Sequence, residues 1–386
     1  MQHTESELAI IGGGICGLTT AIALAGKGIT VPVFEAAPQF SAVGAGIGLA
    51  PNALLALEHI NMLDSIREIG FPLTRFAILD EQGNCLSRNE VLPDRNNQRL
   101  NNITLHRADL HNVLVSRLKP ENLHTGKRLK NIRQSYHDVL IEFEDGSTHK
   151  ARYLIAAEGI HSPVRKQLFP DSGIRFAGYA CWRAVVNLPS SAIPPLSSET
   201  WGSKGRFGIF PLTGNRLYWF ACINSPTPEY NPYRHYTIND LLRHFSGYHA
   251  PVTDSIAQAR ESDLIQNDIY DLVPLKNYAS HNILLIGDAA HATTPNMGQG
   301  ACQAIEDAVL LADELHKTLE VPAAFRNFEQ KRLKRTQKVI KQSRLIGRIA
   351  QLDSPLLIRA RNFGMRISPA WLYQTQVRFL NEIDFN

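Results

Sequence analysis

Three observations predict an α/β fold in which a nucleotide-binding domain is interrupted by a sheet-bearing insertion and followed by C-terminal helices. Near the N-terminus, apolar Leu8 to Ile11, a glycine-rich turn and a helical apolar stripe make one strand–turn–helix unit. A second strand-to-helix junction, ILLIGDAAHATTPNMGQGACQAIED, occupies 283–307. Between them, from Gly173 to Ser280, the pattern changes to short β segments.

The first unit carries the complete dinucleotide fingerprint. Gly12-Gly13-Gly14-Ile15-Cys16-Gly17 is the turn; Leu18, Ala21, Ile22 and Ala25 mark a helix face; Gly28 closes it; and Ile29 to Phe34 forms a second strand ended by Glu35. Gly12 supplies the tight turn, Gly14 lets backbone approach a pyrophosphate, Gly17 lets helix and strand pack, and Glu35 is placed for ribose hydroxyls. An acid at that position favours an unphosphorylated ribose, so FAD or NAD over NADP. Pro32 lies inside the second strand, where a ladder donor is normally needed, and predicts a local irregularity there.

Glycines at 44, 46 and 48 in AVGAGIGLAPN read as a loop that permits close approach to a flat ligand, and Pro51-Asn52 leads into helices through Gly70. Strand signals at Arg75 to Leu79 and Cys85 to Ser87 precede a polar loop over 94–102, and a helix over 108–118 begins after His106-Arg107. A hairpin follows, Val139 to Phe143 with Thr148 to Lys150. Tyr153 to Ala157 is a further buried strand, ended by Glu158-Gly159 before a helix starting at Ser162-Pro163. The insertion offers strands at Tyr179 to Val186, Arg206 to Pro211, Leu217 to Ile223 and Gln266 to Val273, with helices over 238–245 and 252–259.

In the second junction, apolar Ile283 to Ile286 ends at Gly287-Asp288, and Gly298-Gln299-Gly300 opens a helix over 298–316. Such a junction presents unpaired backbone N–H groups and the positive end of a helix dipole. A basic helix over 323–350 and a partly amphipathic tail follow. The domains expected are 1–75, 102–172 and 281–350 for the nucleotide, 76–101 and 173–280 for the substrate, and 351–386 as a C-terminal helical segment.

The whole-chain totals exclude several classes. A chain of 386 residues with 44% hydrophobic and 20% charged residues is an ordinary globular protein, and a net charge of +4 is too small to argue for nucleic acid. Charge is uneven: from Arg326 to Arg366 twelve Lys or Arg stand against Glu329 and Asp353, leaving the remainder mildly acidic. This basic region reads as a solvated helix face in preference to a membrane contact. Five cysteines without a C-x-x-C pair suit free thiols in a reducing compartment, and no signal-peptide pattern opens the chain, so a cytoplasmic location is expected. The 14 histidines show no metal-ligand spacing, and no metal is expected; His291 reads as a structural hydrogen-bonder.

Gly12 to Gly17 with Glu35, Glu158-Gly159, and Gly287-Asp288 together resemble the class A FAD-dependent monooxygenases, the single-component aromatic hydroxylases with a GR2-type FAD-binding fold. The resemblance spans essentially the whole chain. It implies that Gly12, Gly14 and Gly17 hold the FAD pyrophosphate, Glu35 and Ala36 the adenosine ribose, Leu129 the adenine through backbone, and Arg107 the chain near its ribityl portion. It implies that Asp288 binds ribityl hydroxyls, that Gly298, Gly300 and Ala301 present N–H groups to the flavin pyrimidine edge, and that Gly48 lies against the cofactor. The reaction implied is reduction of FAD by NADH or NADPH, addition of dioxygen at flavin C(4a), and oxygen transfer from the hydroperoxide to an electron-rich aromatic or heteroaromatic small molecule. Glu158 departs from the family's usual Asp by one methylene.

For the substrate, Arg206 and Tyr218 lie on two strands joined by a turn at 213–215, and antiparallel pairing can bring them to one face. An Arg facing a Tyr lowers the phenol's pKa and makes a base, so this pair is the candidate catalytic set. In part of the resembled family, including the FAD-dependent urate hydroxylases, an Arg and a Tyr at matching positions contact substrate, together with an Asp where this chain has Asn296. Tyr179, Trp182 and Arg183 are further lining candidates. A flavoprotein reductase or dehydrogenase on the same fold is the enzymatic alternative, and a nucleotide-fold escort protein the non-enzymatic one. A flavin halogenase is disfavoured by the missing W-x-W-x-I-P. The sequence leaves monomer and homodimer open.

Overall fold

The structure is a computed structural model that describes residues 3–40, 44–90, 101–192, 197–228, 232–318, 320–368, 378–380, 383 and 385. Most of the polar loop expected over 94–102, part of the first glycine-rich loop and most of the chain after 368 lie outside the described residues.

The principal sheet has eight strands. Its parallel core runs Ile283–Leu285, Thr148–Ala156, His3–Ile11, Val33–Phe34 and Leu123–His124. These strands are near-continuous apolar runs because helices cover the sheet, and Ala9, Ile10, Leu154, Ile155, Leu284 and Leu285 are fully buried. The strand expected over 29–34 is paired only at Val33–Phe34. Pro32 cannot donate, and contributes its carbonyl, which accepts from the Ile10 N–H at 3.0 Å. The separate signals at Thr148 to Lys150 and Tyr153 to Ala157 form one continuous strand.

A seven-stranded sheet takes the order Ile265–Leu272, Ile174–Asn187, Arg216–Asn224, Gly205–Leu212, Ser197–Gly202, Arg75–Leu79 and Cys85–Glu90. The helices Ile238–His244 and Ala250–Ala257 cover one face over Trp182, Phe207, Ile209 and Trp219. The other face carries Tyr179, Arg206, Phe210, Tyr218 and Phe220, since cross-strand pairs Arg206↔Cys222, Phe210↔Tyr218 and Gly208↔Phe220 share a side. The glycine-rich segment read as a loop is in part a strand, Gly46–Leu49, in a three-stranded sheet with Ile103–His106 and Phe71–Pro72. Alternation explains it: Leu49 and Ile47 join the apolar core, whereas Gly46 and Gly48 present bare backbone.

The helix Val321–Ala350 ties these parts together. Arg344 Nη1 donates to the buried Asp271 of the seven-stranded sheet at 2.9 Å. One side of the principal sheet ends at Gly287, and there Arg332 is enclosed: it donates to Asp307 through Nε at 2.6 Å, pairs with Glu306, and reaches the Gln303 carbonyl at 3.2 Å. Both carboxylates and the guanidinium are fully buried. Burial pushes both carboxyls up, but Arg332, with Arg335 beside Glu306 and His291 beside Asp307, outweighs it and holds them below the usual carboxylate range.

Replacing the cation leaves Glu306 to Arg335 and Asp307 to His291 alone and removes the charge that both share, and a broken buried pair costs about 3–5 kcal/mol. Arg332→Met is therefore expected to lower unfolding free energy by that amount in urea titration at neutral pH. A loss below about 1 kcal/mol would mean that the cluster is solvated.

Candidate active site

Two helix N-termini meet at the ends of the parallel strands. Ile15–Gly26 starts after Gly14, and Gly300–Lys317 after Gln299; neither has a side-chain cap or an acid in its first turn. Their first N–H groups are available to a ligand. The helices touch through Cys16, whose thiol lies 3.7 Å from the Ala304 carbonyl. Gly12, at φ +106°, turns the chain between strand and helix, and a Cβ there would lie 2.3 Å from the Ala157 carbonyl oxygen. Gly17 allows the helix to cross the Gly12 carbonyl, which a Cβ would meet at 1.9 Å. Gly14 differs from both: a Cβ there would meet nothing within 4 Å. That open backbone at a helix start leaves a cradle that could receive a phosphate group.

Glu35 accepts the Gly13 N–H at 2.7 Å and the Ala37 N–H at 2.8 Å, which fixes its carboxylate at the mouth of this cradle beside half-buried Ala36. The 126–129 segment is tied to it by the Lys127 N–H to the Glu35 carbonyl at 2.8 Å, and Leu129 begins the strand that continues from there. Glu158 folds back onto the following helix, accepting from Ser162 Oγ at 2.8 Å and from the Val164 N–H at 3.3 Å. Burial raises its carboxyl to about 7 against those bonds.

At the second junction the two neighbouring acids separate. Asp307 accepts the Gly287 N–H at 2.8 Å and bonds His291 Nε2 at 2.6 Å, so His291 is a buried structural partner. Asp288 instead opens into the cleft, where the surrounding walls push its carboxyl up against the opposing charges of His291 and Arg107. Arg107 begins the helix Arg107–Ser116, bonds the Ala45 carbonyl through its N–H at 3.0 Å, and lies along Gly44. Gly298 is left-handed at φ +63° and has no atom within 4 Å of where a Cβ would be. Gly300 and half-buried Ala301 follow, and the Gln299 side chain turns inward to Asn52 and Gln303. Gly48 sits across from them, its carbonyl 3.9 Å from the Cys302 thiol.

The sheet face opposite these glycines is aromatic. Phe76, Phe210, Tyr218 and Phe220 form a half-buried row with centroid spacings of 6.0–6.2 Å. A Cβ on Gly46 would fall 2.3 Å from the Tyr218 ring, so the ring lies directly on the glycine strand. Arg206 and Tyr218 share one face, as the hairpin allows, but they do not stand opposite each other: Arg206 faces Cys222 and Tyr218 faces Phe210. Four residues of strand separate them, about 13 Å at ~3.3 Å per residue. Burial, with Cys181 adding to it, raises the Tyr218 phenol, opposite to the lowering that a facing Arg would give. Trp182 faces the opposite side, in the core, while Arg183 reaches Asn267.

The partners of Arg206 are Asn296 and Tyr179. Arg206 Nη2 donates to Asn296 Oδ1 at 2.7 Å, and the Tyr179 hydroxyl donates to the same oxygen at 3.0 Å. Asn296 Nδ2 donates to Thr294 Oγ1 and to the Ser343 carbonyl, both at 2.9 Å. Ser343 Oγ in turn donates to the Thr294 carbonyl at 2.6 Å. Every donor has an acceptor only with the amide in this orientation; a carboxylate would set an oxygen against the Ser343 carbonyl. Arg206 is buried, its Nε and Nη1 lack hydrogen-bond partners, and Glu199 lies 3.7 Å from Nη1. Sequence reasoning named Arg206 and Asn296 but did not connect them, and Tyr179 was no more than a lining candidate.

Residues 5–343 match the FAD binding domain family model. The aurachin C monooxygenase/isomerase of Stigmatella aurantiaca is 35% identical over 95% of both chains. The 2-heptyl-3-hydroxy-4(1H)-quinolone synthase of Pseudomonas aeruginosa is 31% identical over 93% of this chain and 94% of its own. The crystal structure of Klebsiella pneumoniae HpxO complexed with FAD and uric acid superposes with a TM-score of 0.86 and 29% identity, covering 97% of this chain and 95% of that one.

Gly14→Val discriminates binding from folding. Nothing obstructs the side chain and the backbone there is extended (φ −79°, ψ −175°), so the variant is expected to unfold like the parent in urea but to lose FAD absorbance on purification. Normal flavin content in that variant would place the pyrophosphate elsewhere.

Proposed function

The chain belongs to the class A FAD-dependent monooxygenases, and we propose that it hydroxylates an uncharged, oxygen-bearing aromatic or heteroaromatic ring using NADH or NADPH and dioxygen. The observation that carries this reading is the arrangement around Arg206. A buried guanidinium whose Nε and Nη1 have no hydrogen-bond partner, on the sheet face that also carries Tyr218 and Phe220, offers donors to a ring oxygen. Asn296 supports a neutral ring: the position is occupied by an amide whose four hydrogen bonds are already made, so no carboxylate is offered to an acidic N–H of substrate. The 4(1H)-quinolone in one relative's name is a neutral ring carrying such an oxygen.

In this reading Arg206 donates to the ring oxygen and so orients the ring, presenting its electron-rich carbon toward the glycine junctions. Phe210, Tyr218 and Phe220 form the apolar floor that excludes water. Tyr218, protonated, supplies a donor and not a base. On the cofactor side, Gly12, Gly14 and Gly17 hold the pyrophosphate, Glu35 the adenosine ribose, Asp288 the ribityl hydroxyls with Arg107 beside them, and the N–H groups of Gly300 and Ala301 the pyrimidine edge. Bound FAD supplies the redox chemistry between the nicotinamide, dioxygen and the ring.

Anaerobic flavin reduction by NADH and by NADPH, followed across phenols, neutral keto-heterocycles and acidic purines, tests the substrate class. Neutral keto-heterocycles are expected to accelerate reduction most. Arg206→Met is expected to keep its flavin and lose about 1.5–3 kcal/mol in kcat/KM, roughly 10- to 150-fold. Acceleration by acidic purines alone, or full activity in Arg206→Met, would contradict the proposal.

A further inference from the structure

The helix Pro355–Ile367 is amphipathic in an unusual sense: its apolar stripe faces outward. Leu356, Leu357, Phe363 and Ile367 are 75%, 50%, 66% and 65% exposed. At ~100° per residue these four and Ala360 fall within about 120° of the helix circumference. Leu345 and Ile349, 56% and 41% exposed on the preceding helix, add to them. Beside the exposed basic residues expected from the sequence, this helix therefore presents large apolar side chains.

The buried side explains the inversion. Arg361 points inward, donating to the Ala350 carbonyl at 3.1 Å and the Trp201 carbonyl at 2.9 Å, with its guanidinium over the Trp201 ring. Arg366 bonds Asp80 Oδ2 at 2.9 Å. The helix is thus clamped to the seven-stranded sheet through two arginines, while leucine and phenylalanine are left in water. Four exposed large apolar side chains on one helix form a contiguous patch that marks an interaction surface.

We propose that this helix seats on an anionic lipid surface, with Leu356, Leu357, Phe363 and Ile367 entering the headgroup boundary. Charge selects the occupant. Arg359 is exposed beside the stripe, and Lys334, Lys338, Lys341 and Arg348 are exposed on the preceding helix, whereas Arg332, Arg335 and Arg344 are taken up by buried carboxylates and Arg366 by Asp80. An anionic bilayer complements that charge. A second copy of the chain apposed through this face would bring two such basic regions together, which opposes self-association.

The test uses the full-length, FAD-loaded protein and co-sedimentation with vesicles of phosphatidylcholine alone or mixed with phosphatidylglycerol. Binding to the anionic vesicles is expected, weakening as salt rises, with little binding to phosphatidylcholine. Leu356→Glu/Phe363→Glu is expected to weaken partitioning roughly tenfold or more, since each side chain loses its apolar burial, while flavin content and turnover in vesicle-free buffer stay as in the parent. Phe363→Trp is expected to show a blue-shifted emission on anionic vesicles only. The proposal is overturned by no binding to either vesicle, by equal binding of the double variant, or by salt-independent binding to neutral lipid. A dimer in sedimentation velocity that the double variant dissociates, without lipid binding, would instead assign the face to a second copy.

Discussion

The architecture of the site depends on one enclosed cation. Arg332 sits between Glu306 and Asp307 with all three groups out of water, and Asp307 passes the constraint on through its bonds to the Gly287 N–H and His291. Gly287 at φ +57° is where the last parallel strand stops and the chain turns toward the cleft, against the Cys16 side chain of the first helix. A desolvated charge tolerates little displacement, because any loosening leaves a carboxylate unpaired. The position of Gly287 therefore follows from the ion cluster, and that of Asp288 follows from Gly287. Adjacent strand-end and helix acids take opposite tasks: Asp307 is spent on the fold, and Asp288 is left facing the cleft.

The same helix that supplies Arg332 reaches the substrate side. Ser343, three turns further on, accepts from Asn296 and bonds Thr294, so the loop that separates the two junction glycines from the aromatic sheet face is held from behind. The amide at 296 is consequently part of a directional hydrogen-bond chain, and its oxygen is turned toward Arg206 and Tyr179. An amide suits position 296 because the Ser343 carbonyl behind it accepts from Nδ2.

Signals that are local in sequence were legible. The glycine fingerprint, the acid ending the second strand, Gly287-Asp288 and the helix after Gly298 each depend on a few neighbouring residues, and each stands in the fold within a residue or two of its expected place. Relations across the chain were not. Arg206 and Tyr218 stand on one face as the hairpin allows, but register decides which residues oppose, and it puts Cys222 opposite Arg206. The strand Ser197–Gly202 was missed because polar Ser, Glu and Thr dilute its pattern, and it pairs with a segment more than a hundred residues earlier. The strand at Gly46–Leu49 was hidden by glycines that usually signal loops. The Arg332 cluster and the outward stripe of 355–367 depend on which face a helix buries, which periodicity alone leaves undetermined when both faces carry arginine and leucine.

The central claim is that reducing equivalents from NADH or NADPH and one atom of dioxygen reach a ring held between the glycine junctions and Arg206. Turnover of the FAD-loaded chain under isotopically labelled dioxygen, with the ring substrate that most accelerates flavin reduction, tests it directly by mass spectrometry of the product. One labelled oxygen atom in the hydroxylated product is the predicted result. A product without label, formed while the nicotinamide is oxidised, would contradict the account and identify the chain as a reductase or dehydrogenase on this fold.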